Sequence, residues 1–551
     1  MAFKSPFADL TVLIIDDMQT QQTTLRGQLA MLQVSKVDIA GTAEDALRMI
    51  RARAYSAVMC DFNLNQKSDG QQLLEHLREN ALLPPDSLFF MVTAENSYAS
   101  VASASEHKPD AYLLKPVTVG DIEERLKSQT ERRNALLAIH QCLGRQDTAG
   151  ALAACDAVIA KQARWTMHAL QLKGQALLQL GRHEEAAEIY GNVLGLRPGL
   201  IWAQLGMAKA QKAAGNLEDA KGLAYGVMHS KEGEKTLEAF DIVAQCLEAQ
   251  GDLEGAMWVT RDSAAVMPSA RRQRLLGECA YRNGDLDTAK ECFTKVAKVT
   301  KGSITAQSQD TLTLAQIKTD AGELQEAIAL LDTAVPNHRH DPQFANVALA
   351  IKAQAQIKAG DKAGALASLA RARQSMRRAK ADFATIALAK AELLGGDEAA
   401  GLKLLEAAVS ADHENPRVKQ LIGNVLRDTG REHLFQQLVD GAVSRLNGKV
   451  SDAKVLFRNS QIDEGLAAIE AALREYPENT GVLLQAAQMN CMSLRLKKQL
   501  NVGVSERVRT YLTRLDGLMP GSDRVARMHR YYRETIASLK AGGVTPAAQT
   551  A

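Results

Sequence analysis

Aromatic residues are scarce in this chain. Phe, Trp and Tyr fill only 4% of its 551 positions, while hydrophobic residues as a whole fill 46%. With alanine abundant, that scarcity favours closely packed small-residue helices over a β-rich chain. A dominant charge sign is also missing. Lys and Arg number 66 against 64 Asp and Glu, a formal +2, so nothing global points to nucleic acid or an acidic membrane surface. No run reaches about 18 apolar residues, and the opening MAFKSPFADL holds no signal-like stretch, so membrane insertion is not expected. The seven cysteines (Cys60, Cys142, Cys155, Cys246, Cys279, Cys292 and Cys491) form no Cys-x-x-Cys pair and are odd in number. Free thiols in a reducing cytoplasm are expected, not a disulfide framework.

What is present begins with alternation. Over residues 8–128, short apolar runs alternate with helical patterns at Thr23 to Leu32, Ala43 to Arg51, Gly70 to Arg78 and Val119 to Lys127, with a weaker helix at 97–107. Such repetition predicts a mostly parallel sheet covered on both faces. Four runs end in chemistry. Thr11 to Ile15 ends at Asp16-Asp17, Ala57 to Cys60 at Asp61, Leu88 to Val92 at Thr93, and Tyr112-Leu113-Leu114 at Lys115-Pro116. The C-terminal edge of a parallel sheet is where ligands bind. Carboxylates, a hydroxyl and a lysine gathered there point to phosphoryl transfer with magnesium.

From about 130 to 540 strand signals stop. Glycines recur at 144, 181, 215, 251, 284, 322, 360, 395 and 430, spaced 33 to 38 residues apart. Eight of the nine have alanine five residues later (Ala149, Ala186, Ala220, Ala256, Ala289, Ala327, Ala365 and Ala400), and only Phe435 departs. The glycine supplies a left-handed turn after one helix, and the alanine lets the next helix approach closely. This resembles the tetratricopeptide (TPR) repeat. The best unit runs from His168 to Pro198, with Gly174, Gly181, Ala186, Tyr190 and Pro198 at the motif's offsets. Nine or ten hairpins are expected over 129–500, then a terminal helical cap at 501–540, its last helix capped by Ser522-Asp523, and a disordered tail at 541–551.

The first region resembles the receiver domain of two-component response regulators over about 120 residues. The resemblance implies a flavodoxin-like, doubly wound, five-stranded parallel sheet. It makes Asp61 the phosphoacceptor. Asp17 and Asp61 would give carboxylates to Mg2+, Asp16 would act mostly through water, and Asn63 would give its backbone carbonyl. Lys115 would pair with a phosphoryl oxygen and Thr93 would donate its hydroxyl to another. Tyr112 matches the aromatic switch, and Pro116 the family's cis peptide. Asn63 and Glu95, two residues after Asp61 and Thr93, resemble the pair in the chemotaxis single-domain regulator, which implies a short-lived phosphoprotein. The loop departs from the family. Leu64-Asn65 replace the usual Met-Pro, and Gly70 stands nine residues after Asp61 instead of eight.

Other signals are set aside. Gly395-Gly396-Asp397-Glu398 matches the start of a diguanylate cyclase signature but falls in repeat register. Asn63, Asn65, Asp69 and Gly70 lack the glutamate of a calcium loop. Arg371, Arg373, Arg377, Arg378 and Lys380 read as a solvated face, or alternatively as an acidic-partner or phosphate patch. His338 and His340 have no further ligands nearby. The whole reads as a cytoplasmic, non-enzymatic response regulator. Its receiver takes a phosphoryl group from a cognate sensor histidine kinase, and its superhelical TPR solenoid binds a protein or peptide along a concave surface. Homodimerisation is the further partner expectation. The helix that starts near Val119 is expected to run into the first repeat without a flexible linker. A constitutive TPR adaptor or phosphate sink, and a DNA-binding transcriptional regulator, are the alternatives.

Overall fold

A computed structural model describes residues 5–64, 68–94, 107–145, 147–161, 164–338, 341–375, 382–412, 415–519 and 523–541. The expected helix at 97–107, Glu95, Asn65, His340, the basic residues 377, 378 and 380, the Ser522 cap and the tail lie outside these residues, Ala541 and His107 excepted. The chain divides into two compact units. The first comprises Met1–Leu178, Arg182–Leu276 and Lys295–Gln307, and the second comprises Gln179–Gly181, Gly277–Thr294 and Ser308–Ala551.

In the first unit, β1 (Thr11–Ile15), β2 (Lys36–Ala40), β3 (Ala57–Asp61), β4 (Leu88–Thr93) and β5 (Ala111–Leu114) form one parallel sheet, ordered β2-β1-β3-β4-β5. Successive strand residues point to opposite faces. Val12, Ile14, Met59 and Phe90 therefore enter one core with Leu25, Leu29, Ile122 and Leu126. Leu13, Ile15, Val58, Cys60 and Phe89 enter another with Ala46, Leu47, Leu73 and Leu74. The helices supplying these partners are α1 (Gln19–Met31), α2 (Ala43–Ala52), α3 (Gly70–Glu79) and α4 (Val119–Gly144). Burial on both faces is why β1, β3 and β4 read as unbroken apolar runs. The edge strand β2, with Lys36 and Asp38, carries no such run, and sequence periodicity alone did not find it.

The helix α4 is one unbroken element of 26 residues. Ile122 and Leu126 pack under the sheet, while Leu136 and Ile139 pack on Ala151, Cys155 and Ala169 of the first helical hairpins. Arg132 pairs with Asp110, and Arg133 lies 3.3 Å from Asp86. The expected boundary at 128/129 falls inside this helix, and the expected continuous connection is observed.

Helical hairpins follow in both units. Tyr190 shows how they close. It is buried, and a Cβ on either Gly174 or Gly206 would come within 2.5 Å of its ring. The glycines therefore make room for the aromatic ring between three successive helices. The repeat rule needs two corrections. The left-handed turn of one hairpin is at Gly396 (φ 90°), not Gly395, and the residue seated in the close contact is buried Gly401, not Ala400. Gly144 makes no left-handed turn. Asp147 caps the next helix by accepting from the Gly150 N–H, and Ala151 is the buried small residue while Ala149 is exposed. The rule that survives counts from the helix cap: four residues after Asp147, Asp252, Asp361, Asp397 and Gln461 stand Ala151, Ala256, Ala365, Gly401 and Gly465, all buried. The departure at Phe435 has a physical reason, since its ring packs 3.6 Å from where a Cβ on Gly423 would lie. The small residue has moved to the facing helix.

Within the second unit, Lys390 is 3% exposed and joins Asp320 at 2.7 Å to Asp428 at 2.6 Å. Tyr281 donates its hydroxyl to Asp320 at 2.8 Å. The expected terminal cap is a pair of helices, Val502–Leu518 and Asp523–Ala541, which bury Leu512, Leu515, Met528 and Tyr532 with Ala486 and Met489. Gly395 to Glu398 form a turn in which Asp397 accepts from the Ala400 N–H, so this tetrapeptide is a helix junction. Arg373, half exposed, forks onto Glu392 and Asp397. His338 stacks on Phe344 with ring centroids 4.2 Å apart. All seven cysteines are free and six are buried. No helix among the described residues is long and apolar enough to cross a membrane.

Candidate functional site

Parallel strands that end together place their terminal residues together. Asp16 and Asp17 follow β1, Asp61 ends β3 and Thr93 ends β4, while Lys115 follows β5. Carboxylate oxygens of Asp16, Asp17 and Asp61 lie within 4.8 Å of one another. Lys115 Nζ is 2.9 Å from Asp61 Oδ2 and 3.5 Å from Asp16 Oδ2. Asp16 and Thr93 are buried and Asp61 is 7% exposed.

Each group is held by its own backbone. Asp16 Oδ1 accepts from the Met18 N–H at 2.8 Å, and this turns its other oxygen inward. That oxygen, Oδ2, is buried and accepts no hydrogen bond. The Lys115 N–H donates to the Thr93 carbonyl at 2.8 Å, fixing the two side chains' common origin. The Lys115–Pro116 peptide is cis, as the resemblance implied. Asp61 is set by a close approach from α3. A Cβ on Gly70 would lie 2.3 Å from the Asp61 carbonyl oxygen, so no larger residue fits there. Asp69 opens that helix with a capping box shared with Gln72. Gly70 was legible in the sequence as the start of a helix and Asp69 as a loop residue, and the close approach was not.

Burial pushes the Asp61 carboxyl above its ordinary value, against the lowering pull of Lys115 and with a further raising push from Asp16. Three carboxylates face one ammonium, so negative charge is in surplus. Hard oxygen donors in surplus, one of them buried without a hydrogen-bond donor, suit a small divalent cation. Tyr112 packs against the Leu13–Leu73–Phe89 core, and burial pushes its phenol up to about 12. Its hydroxyl is buried with no hydrogen-bond partner among the described residues. The structure thus brings Asp16, Asp17, Asp61, Thr93 and Lys115 to one sheet edge, with Tyr112 paired to Met91, two residues along the strand from the Thr93–Leu114 pair. Asn63 follows Asp61 by two residues.

Comparison with known proteins agrees with this geometry. Residues 12–127 match the response regulator receiver domain, and residues 177–224 match the tetratricopeptide repeat. A probable chemotaxis protein CheY of Rhizobium etli is 29% identical over 122 residues, which is 22% of this chain and 90% of that protein. Chemotaxis protein CheY-3 of Vibrio cholerae is 26% identical over 124 residues, 22% of this chain and 94% of the relative. Among solved structures, a tetratricopeptide repeat protein from Parabacteroides merdae is 13% identical with a TM-score of 0.32, covering 54% of this chain and 99% of that one. YrrB, a TPR protein with an unusual peptide-binding site, is 12% identical with a TM-score of 0.30, covering 34% and 93%. The N-terminal region is a response-regulator receiver domain, and a tetratricopeptide-repeat region follows it.

Proposed function

We propose that this chain is a phosphorylation-dependent response regulator that accepts a phosphoryl group at Asp61 and signals through protein binding by its repeats. The observation that carries the reading is the surplus-charge cluster at one sheet edge, with Lys115 already 2.9 Å from the acceptor. An Asp61 carboxylate oxygen forms the new bond to phosphorus, and the bond from phosphorus to the donor breaks, leaving an acyl phosphate. Lys115 offsets charge on a phosphoryl oxygen as a point charge, and Thr93 donates its hydroxyl to another. Asp16, Asp17, Asp61 and the Asn63 carbonyl would hold Mg2+, which when bound neutralises the charge developing on the transferring group. The Tyr112 phenol, lacking a polar partner where it is, has little holding it against rearrangement when Thr93 takes up a phosphoryl oxygen.

The donor is a sensor histidine kinase, the repeats bind protein instead of catalysing a reaction, and the chain works in the cytoplasm. Absence of a dominant charge sign disfavours the DNA-binding alternative. The test is affinity capture with the full chain in two states, loaded with beryllofluoride and Mg2+ or carrying Asp61→Asn. Proteins retained by only one state are expected. Identical capture in both states would favour the constitutive adaptor.

A further inference from the structure

The loop that leaves Asp61 is held from outside the receiver. Ser68, in the segment between β3 and α3, is 2% exposed. Its Oγ accepts the Ile304 N–H at 3.1 Å and lies 3.0 Å from Ser303 Oγ. Ser303 and Ile304 belong to the turn after the repeat helix Leu286–Val299, more than two hundred residues along the chain. The Ile304 side chain packs on the receiver core that contains Leu64, Leu73 and Leu74. Beside it, Arg271 pairs with Glu79 of α3 at 3.0 Å. The turn is itself braced. Ser303 Oγ accepts the Thr305 N–H at 3.2 Å, and Arg274 donates to the Thr305 carbonyl at 2.7 Å. Residues Lys295–Gln307 cluster with the receiver in one compact unit.

The inner end of the same loop is tied to the acceptor. The Gly70 N–H donates to the Phe62 carbonyl at 2.8 Å, and Gly70 lies hard against the Asp61 carbonyl. Ser68 stands two residues from Gly70. The stretch from Asn63 to Gly70 contains no proline to stiffen it. The segment Ser68 to Gly70 is therefore held at Gly70 by Phe62 and Asp61 and at Ser68 by Ser303 and Ile304.

We propose that the Ser303–Ile304 turn is an intramolecular clasp through which the repeats read the state of Asp61, with phosphorylation loosening it. The proposal rests on Asp61 being the phosphoacceptor. A phosphoryl group on Asp61 adds bulk and charge against Gly70, two residues from the clasped Ser68. Accommodating it on the Asp61 side takes contact from the Ile304 side. By linkage, whatever weakens the clasp favours the phosphorylated form to the same degree. A cavity of about 500 Å3 lies beside the clasp, lined by Phe62, Asp69, Met267, Val299 and Ile304 among others.

The test is hydrogen exchange on the full chain with and without beryllofluoride and Mg2+. Slower exchange at 57–64 together with roughly tenfold faster exchange at 299–307 is expected, as local opening would give. In Ile304→Asp, exchange at 299–307 should be fast before loading and gain nothing from it. Ser68→Ala, which removes the hydroxyl and keeps the Ile304 packing, should lie between. Should Ile304→Asp fail to fold, Ser68→Ala carries the test. A response at 57–64 with unchanged or slower exchange at 299–307 would overturn the clasp and leave the phosphoacceptor standing. No response at either segment would overturn the phosphoacceptor reading and the clasp with it.

Discussion

At the receiver's sheet edge, the carboxylates of Asp16, Asp17 and Asp61 gather, and Lys115 pairs with Asp61 and Asp16. In the repeats, Asp320 has Lys390 at 2.7 Å, Lys358 at 3.3 Å and the Tyr281 hydroxyl at 2.8 Å. Asp61 and Asp320 are both buried, yet the two carboxyls respond oppositely. Burial raises Asp61 and Lys115 does not cancel it. Burial also opposes ionisation of Asp320, but Lys390 and Lys358 outweigh it and hold that carboxyl below its ordinary value. Lys390 in turn is raised, with Asp320 and Asp428 outweighing its burial. A buried charge that is fully paired serves the fold. A buried negative charge left in surplus weakens the fold and gains affinity for a cation.

The comparison can be broken first at Lys390. In Lys390→Met, Asp320 and Asp428 lose their shared cation, and about 3–5 kcal/mol of stability should go with it, as when one partner of a buried pair is removed. Urea unfolding followed by the helical signal measures this. The sign with pH follows from Asp320. Its depressed value contributes stability above the ordinary carboxylate range of about 3.9, and that is lost as pH falls through the lower folded value. A variant indistinguishable from the parent at neutral pH would show that the repeat network is not stabilising.

A smaller effect is expected at the receiver, in the opposite sense. Mg2+ at about a hundredfold excess over its dissociation constant should stabilise the parent by about 2.7 kcal/mol. Asp61→Asn should lose most of that response, yet without Mg2+ it should be more stable than the parent by on the order of 1 kcal/mol at neutral pH. The gain has a pH signature. Since folding raises the Asp61 value, the parent's penalty is absent below the ordinary carboxylate range and grows as pH rises through the folded value. Calorimetric melting at several pH values reads both. A neutral-pH loss of stability in metal-free Asp61→Asn would refute the surplus-charge argument.

The smallest effect sharpens the repeat register. Gly396→Ala puts a Cβ on a left-handed residue and should cost about 1–2 kcal/mol, whereas Gly395→Ala, inside the helix, should be tolerated. Equal melting temperatures for the two variants would restore the register read from spacing.

The two regions also differed in how much their sequences disclosed. At the receiver, buried parallel strands write themselves as apolar runs, and each run ends at a residue of the candidate site, so Asp16, Asp17, Asp61, Thr93 and Lys115 could be named from order alone. The edge strand β2 escaped because half of it faces solvent. The repeats disclosed their period through glycine and alanine, but small residues are interchangeable at a close contact. Gly401 could replace alanine, and Gly423 could yield to Phe435 across the helix pair, which shifted the register by a residue. The contact between Ser68 and Ser303 left no trace in the sequence, because two serines so far apart carry no periodicity.

The central claim is that Asp61 takes the phosphoryl group because a surplus of carboxylates there awaits cationic compensation. It is tested most directly by intact-mass measurement after exposure to acetyl phosphate, with peptide mapping of the modified residue. One phosphoryl group per chain is predicted, on Asp61, formed only with Mg2+ and absent from Asp61→Asn. Equal labelling of Asp61→Asn, or no labelling of the parent chain with Mg2+ present, would contradict it.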